Sequence, residues 1–465
     1  MLMGRLRSGW LWPAWLLLVV VLAAPASAAP VAEASGVVAF VHVNVLPMER
    51  EGVLRDQTVI VEGGVIRAIG RKLTPPAGAT IVDGHGTAYL LPGLADMHTH
   101  SETREDLAVY LANGVTTVLN MGDASAGFIG RTRPAANAGT IPGPHVYAAM
   151  VLDGSPRYGH FVVTTPEEAR WAVRLAKTNG YDFIKVYNNL SADSFQALAA
   201  EARVQGVPLV GHTVTAAGGL EQQLAAGQAL VAHLEEFLYS YFFAPTEDSG
   251  QAAPALDRIP DAVAMVKRYG TFVTADLVTY HSIARQWGDP EAARQLLAMP
   301  EVRYLAPGQR LSWPRAGYDK REGSLAARDA FLAHFAKALA DAGIPLVTGT
   351  DAPSIPGLVP GFSLHDNLAL LEQAGLTRYQ VLAAATRAPG AFIAAYKPGG
   401  APFGTVTAGA RADLLLVETN PLEGLDTLRR PLGVMAGGGW HDRAGLEAML
   451  DAVAERYRAA VRPGD

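Results

Sequence analysis

The chain predicts an α/β fold: a (β/α)8 TIM barrel carrying a small β-sandwich domain built from both ends of the sequence. Three observations predict it. Short apolar runs alternate with amphipathic helical stretches through residues 92–401, which implies a parallel sheet buried on both faces. Eight such runs can be read, and eight is the number that closes a barrel. Strand-like stretches flank this region at 36–91 and 402–440, so one small sheet domain requires the two ends of the chain to meet. A doubly wound open sheet shares the alternation, and pattern alone does not separate the two.

The elements follow in order. Arg5 and Arg7 precede an apolar run over 14–24, and Ala26-Ser27-Ala28 comes next. Positive, apolar and small-residue regions in that order read as a secretory signal over residues 1–28. The chain is therefore expected to be exported, periplasmic or secreted, with no membrane attachment after cleavage. An uncleaved anchor is the alternative, although the run is short for a span of about 20 residues. Residues 37–45 then alternate as a strand, and 58–62 turn at Gly63-Gly64 into 65–69. Their counterpart at the other end is 412–418, after Gly404 and Gly409.

Within the barrel region the expected strands are 94–98, 116–121, 146–151, 183–187, 209–212, 230–233, 272–275 and 346–350. Helices are expected at 166–178, 191–205 and 325–342, with Thr165 before Pro166 and Ser191 before Ala192 as start signals. Two long loops are expected over the barrel, at 236–258 and 281–324. Residues 441–465 read as a C-terminal helical segment.

Composition narrows the chemistry. With 465 residues, 49% of them hydrophobic, there is material for one large core and a small domain. The chain has no cysteine, which excludes disulfides, thiolate catalysis and Cys-type zinc sites. A net charge of −6 without a basic run argues against a nucleic-acid partner.

The residues that remain for chemistry sit at strand ends. His98-Thr99-His100 closes the first strand, and alternate residues of a strand face one way, so both imidazoles can reach one point. His212, His233 and Asp351 end three further strands, and in a barrel such ends converge on one face whatever their separation in sequence. Taken singly, each histidine reads equally well as a packed or surface residue. Lys185 lies inside an otherwise apolar strand, where an ammonium is costly unless it is paired, reaches the barrel mouth or is chemically altered.

Together these stretches resemble the amidohydrolase superfamily, in its binuclear, imidazolonepropionase-like and prolidase-like branch. The resemblance rests on Leu91-Pro-Gly-Leu-Ala-Asp-Met-His-Thr-His100, Gly114-Val-Thr-Thr-Val118, Ile184-Lys-Val-Tyr187, Gly211-His212 and Ala232-His-Leu-Glu-Glu236. It continues through Gly349-Thr-Asp351, Leu364-His-Asp-Asn-Leu-Ala-Leu-Leu371, Ala384-Ala-Thr386 and Ala412-Asp-Leu-Leu-Leu-Val417, covering about residues 36–440. It implies two divalent metal ions, zinc being the expected species: His98, His100 and Asp351 would hold one, and His212 and His233 the other. Lys185 would carry a CO2-derived carboxyl group that bridges them. The sequence departs from the family pattern at Ala232-His233-Leu234, where Glu-His-Gly is usual, and at Ser101; both departures are expected at the pocket mouth.

The function so implied is hydrolysis of a carbon–nitrogen bond in a small amide or dipeptide-like substrate by metal-activated hydroxide, with Asp351 as catalytic proton shuttle. The competing readings are an esterase, lactonase or phosphotriesterase on the same metals, and a metal-binding protein without turnover. Substrate contacts are expected from His160, Tyr187 and His281, and an apolar wall from the aromatic stretch 237–243. Arg285, Arg310 and Arg315 are the cations available to a substrate carboxylate. Assembly of several copies is compatible with the sequence.

Overall fold

The protein is described by a computed structural model over residues 36–122, 124–243 and 251–459. The expected signal segment, 1–28, lies outside the described residues. Among those residues no helix is long and apolar enough to cross a membrane.

The apolar runs of the middle region become the strands Leu94–Thr99, Val115–Asn120, His145–Asp153, Phe183–Val186, Leu209–Gly211, Gln228–Val231, Phe272–Thr274 and Leu346–Val347. Each pairs with the next in parallel. The ring then closes, because Met97 N donates to Thr348 O at 2.8 Å and Thr99 bridges Ala352. The chain is thus a (β/α)8 barrel, with side chains such as Met97, Leu119, Phe183 and Val210 filling its interior.

Several strands stop before the expected residue, and the reason bears on function. His212, His233 and Asp351 stand just past the last paired residue of their strands. His233 and Asp351 have φ of 67° and 60°, left-handed values that a strand does not accept and that re-aim the side chain. Non-glycine residues held there cost on the order of 1–3 kcal/mol each, and such strain gathers at functional sites.

The helices between strands start where the capping residues place them. Thr165 and Glu168 form a reciprocal capping box for Pro166–Thr178, and Ser191 caps Ala192–Gln205, which ends on the left-handed Gly206. The C-terminal segment forms the helix Arg443–Ala459, which packs on Arg104–Ala112 through Val109, Val453 and Tyr457.

The two ends of the chain do meet. Tyr89–Pro92 runs antiparallel to Leu414–Val417, with Leu90 opposite Leu416. Around this pair, strands from both ends make one hydrogen-bonded sheet in the order Gly439–Asp442, Gly433–Ala436, Leu414–Val417, Tyr89–Pro92, Val38–Val45, Leu54–Glu62, Val65–Gly70. The sheet encloses its own core of Phe40, Val43, Val59, Ile66, Leu90 and Met435. Passage from this sheet into the barrel requires Gly93, since a Cβ there would lie 2.2 Å from Thr116 Oγ1.

The expected loop 281–324 is in fact largely helical, with Leu277–Gln286, Pro290–Leu297 and Pro307–Ser312 joined by short turns. Its prolines, read as loop markers, occupy first-turn positions, and Asp289 caps the second helix. The expected apolar wall at 237–243 is also corrected: Phe237 and Phe242 turn inward, with ring centroids 4.9 and 4.8 Å from Phe335 and Phe331. They are core, because the helix Ala326–Asp341 needs partners for its buried face.

Candidate metal centre

Six residues from five strands converge at the C-terminal mouth of the barrel. His98 is fully buried, and its Nε2 lies 3.2 Å from Asp351 Oδ1; His100 Nε2 lies 3.1 Å from the same oxygen. His233 Nε2 is 4.0 Å from it. The His98 and His233 rings are 4.1 Å apart between centroids, and His212 and His233 are 5.0 Å apart. Lys185, 1% exposed, places Nζ 3.2 Å from His98 Nε2.

The far nitrogens of three rings are engaged on the outside. His100 Nδ1 donates to Gly122 O at 3.2 Å, His212 Nδ1 meets Glu236 Oε1 at 2.9 Å, and His233 Nδ1 is bonded to Asp276 Oδ2. This outer shell fixes the tautomer that leaves Nε2 with its lone pair turned inward, the arrangement of metal-binding imidazoles. A lone pair facing a carboxylate oxygen at 3.1 Å is repulsive unless a cation lies between them. Tetrahedral ligands at about 2.0 Å from an ion stand about 3.3 Å apart, close to the spacing found here. His98, His100 and Asp351 form one group able to hold an ion, and His98, His233 and Asp276 another.

The electrostatics point the same way. Burial opposes ionisation of Asp351, yet the adjacent imidazoles of His100 and His98 hold its carboxyl well below the usual range. Burial, reinforced by His233 and Lys185, drives His98 well below 6.5 and keeps it neutral. Burial likewise lowers His212 to about 4 against the pull of Glu236. His233 is the exception: burial works against its charge, but Asp276 and Glu235 raise its proton affinity to about 10. The same carboxylates raise its affinity for any other cation at Nε2.

The structure therefore brings together all of His98, His100, Lys185, His212, His233 and Asp351. Tyr187 stacks on His212 at 4.1 Å, and His160 packs on Tyr187 at 4.5 Å, so both border the cluster. His281 does not join them. Its Nδ1 is bonded to Asp329 at 2.8 Å, and its ring lines a separate cavity with Ser282, Arg285 and Asp366. It is seated on the helix Leu277–Gln286, after the seventh strand. Arg310 is likewise spent on the carbonyls of Leu305 and Arg303. Ser101, Ala232 and Leu234, expected at the pocket mouth, are buried.

Sequence reasoning missed the outer shell. Asp276 follows the strand Phe272–Thr274, the very position that singled out His212 and His233, and that signal could have found it. Glu235 and Glu236 stood in the quoted motif without a role. Asp96, raised to about 8 chiefly by burial, accepts from Thr350 Oγ1 at 2.6 Å and from His98 N, tying the first strand to the eighth.

Such a constellation on such a barrel defines a class: barrel enzymes that act at the C-terminal ends of their strands. The model of the amidohydrolase family matches residues 89–440, and the chain belongs to that family of hydrolases. Among curated proteins, the chain is 38% identical over 80 residues to a dihydroorotase of Pelobacter propionicus, a match covering 15% of this chain and 19% of that protein. Among solved structures, it resembles a bottromycin amidohydrolase with a TM-score of 0.70 and 26% identity, over 91% of each chain. It also resembles a Xaa-Pro dipeptidase with bound methionine, with a TM-score of 0.62 and 18% identity, over 88% of this chain and 100% of that one.

Proposed function

We propose that the protein hydrolyses a carbon–nitrogen bond in a small amide or dipeptide-like molecule, using two divalent metal ions held at the barrel mouth. The observation that carries this reading is the approach of His98 Nε2 and His100 Nε2 to one Asp351 oxygen, at 3.2 and 3.1 Å, with Gly122 O as outer partner of the His100 imidazole. Membership of the amidohydrolase family supports it.

His98, His100 and Asp351 would hold one ion, His212 and His233 the other, and zinc suits a nitrogen and oxygen donor set. Bound there, the ions supply Lewis acidity that polarises a carbonyl and acidifies water. Lys185 would carry a carbamate: its ammonium first gives up a proton, the neutral Nζ forms a bond to the carbon of CO2 as a second proton leaves, and an anionic carboxyl group replaces a buried cation. Asp351, kept ionised by its neighbours, accepts a proton as water adds to the carbonyl carbon. It returns that proton to the nitrogen as the C–N bond breaks. Tyr187, packed against His212, and His160, packed against Tyr187, wall the space in which the substrate lies.

The test is direct. Elemental analysis of unchelated protein should find two metals per chain, and a screen of dipeptides, N-acyl amino acids and cyclic amides should find turnover. Fewer than one metal, or hydrolysis of p-nitrophenyl esters with no amide turned over, would reject the reading. Lys185→Ala should lose metal and activity, with partial rescue by short carboxylic acids; a fully active variant would remove the bridging role. We also propose export, supported by the charged, apolar and small-residue order over residues 1–28. The N-terminal sequence of protein recovered outside the cytoplasm should begin near Ala29.

A further inference from the structure

Beside the histidine cluster lies a cavity of about 360 Å3 whose walls belong to three separate segments. Tyr239 comes from the turn after the sixth strand, Tyr280 and Trp287 from the helix after the seventh and its end, and Tyr318 from the turns beyond. The cavity adjoins the proposed reaction centre, because Glu235 lines it and places Oε1 3.9 Å from His233 Nδ1. Tyr318 lies in the field of Asp351 and Glu235, which add to burial in raising its hydroxyl to about 12.

The polar ends of Trp287, Tyr280 and Arg328 are already committed. Trp287 Nε1 donates to Glu322 O at 2.9 Å, and Arg321 sits 5.7 Å from the indole centroid. Arg328, also in the wall, donates from Nε to Ala252 O at 2.9 Å, binds the Tyr280 hydroxyl, and stacks 5.3 Å from the Phe243 centroid. What the cavity offers is therefore π-surface. Beside Trp287 the chain packs closely: Gly288 has φ of 69°, and a Cβ there would lie 2.7 Å from Arg321 O. A preformed space of 300–1,000 Å3 next to reactive groups is where a ligand's bulky part is recognised.

We infer that this cavity, walled by Tyr239, Tyr280, Trp287 and Tyr318, is the specificity pocket for an aryl side chain on the substrate. The inference rests on the hydrolase reading for its meaning but not for its test. Aromatic rings prefer edge-to-face and offset contacts with other rings, which a box of four can supply to a planar guest and not to a methyl group.

The first measurement needs no metal and no turnover. Ligand-observed NMR on chelated full-length protein should show contact with phenylalanine and N-acetylphenylalanine but not with alanine and N-acetylalanine. The aryl signal should vanish in Trp287→Ala and persist in Trp287→Phe, which keeps a ring in place. The second compares Phe-Ala and Ala-Phe with Ala-Ala as substrates. The better aryl dipeptide should exceed Ala-Ala in kcat/KM, and Trp287→Ala or Tyr318→Ala should cut that ratio about 10-fold or more, mainly through KM. Equal NMR contact for aromatic and aliphatic probes, or aryl contact unchanged in Trp287→Ala, would overturn the inference. Aryl contact in a protein that cleaves no C–N bond would sink the hydrolase reading and leave the pocket standing. An active amidase without aryl contact would do the reverse.

Discussion

At the N-terminal end of the barrel, Arg411 donates to Asp413 and, at 2.7 Å, to Thr117 Oγ1, while Arg133 pairs with Asp182 at 2.6 Å. At the C-terminal end, imidazoles, a lysine and an ionised aspartate crowd one another, with nitrogen lone pairs and carboxylate oxygens face to face. Both ends bury charge. At the first, each donor has an acceptor and the set is complete with protein atoms alone. At the second, imidazole nitrogens and a carboxylate stand at the spacing of a group that could hold a metal ion. Burial therefore says little about role, and the partners around a buried charge say much.

This contrast can be broken in four ways. The largest effect on stability should come from Arg411→Met. It leaves Asp413 buried beside no cation, at a cost of about 3–5 kcal/mol. A marked fall in Tm with unchanged metal content per folded chain is expected; a variant that keeps its Tm and loses metal would undo the distinction between the two ends.

Asp351→Asn should behave in the opposite way. Asparagine tolerates the left-handed backbone at this position, so Tm should hold, while turnover on an amide falls by about 10²-fold or more. Near-normal turnover would move the proton shuttle elsewhere.

Asp276→Asn sharpens the picture of the outer shell. The bond from His233 Nδ1 weakens, and chelator competition should report a loss of about 10–100-fold in metal affinity, with the apo protein's Tm little changed. An unchanged affinity would make Asp276 a purely structural partner.

The smallest effect concerns His365, which is buried away from the metal cluster and bonded to Asn113 O at 2.9 Å. Burial, helped by Arg429, lowers it to about 4. Its unfolded value is higher, so the unfolded chain binds more protons as pH falls. The native state therefore keeps full stability above about 6.5 and loses it progressively toward 4. Between pH 7.5 and 5.5 the loss from this group is on the order of 1 kcal/mol. The decline in Tm over that interval should be shallower in His365→Gln than in the parent, and parallel curves would assign the acid sensitivity to other groups.

The barrel was legible because its signals are local: apolar runs of strand length, capping residues such as Thr165 and Ser191, and glycines at obligatory turns. The six cluster residues could be read for a related reason. Each lies at or near the C-terminal end of a strand, and barrel topology carries every such end to one face, so position along the chain predicts position in space. Asp276 obeys the same rule and went unread because a lone aspartate after a short strand is common. The 281–324 region misled because proline marks a helix start as readily as a loop.

What no local pattern contained was direction. Whether Phe237 faces the core or a pocket depends on the helix Ala326–Asp341, whose buried face arrives from about a hundred residues away. Whether His281 reaches the centre depends on the turn of its helix and on Asp329 waiting outside. The aryl-sized cavity is made by three segments that share no motif. Sequence determined which side chains would stand at the strand ends; only tertiary packing decided which way those beyond them point. A side chain's heading is set by the neighbours that bury it, and those neighbours are distant in the chain.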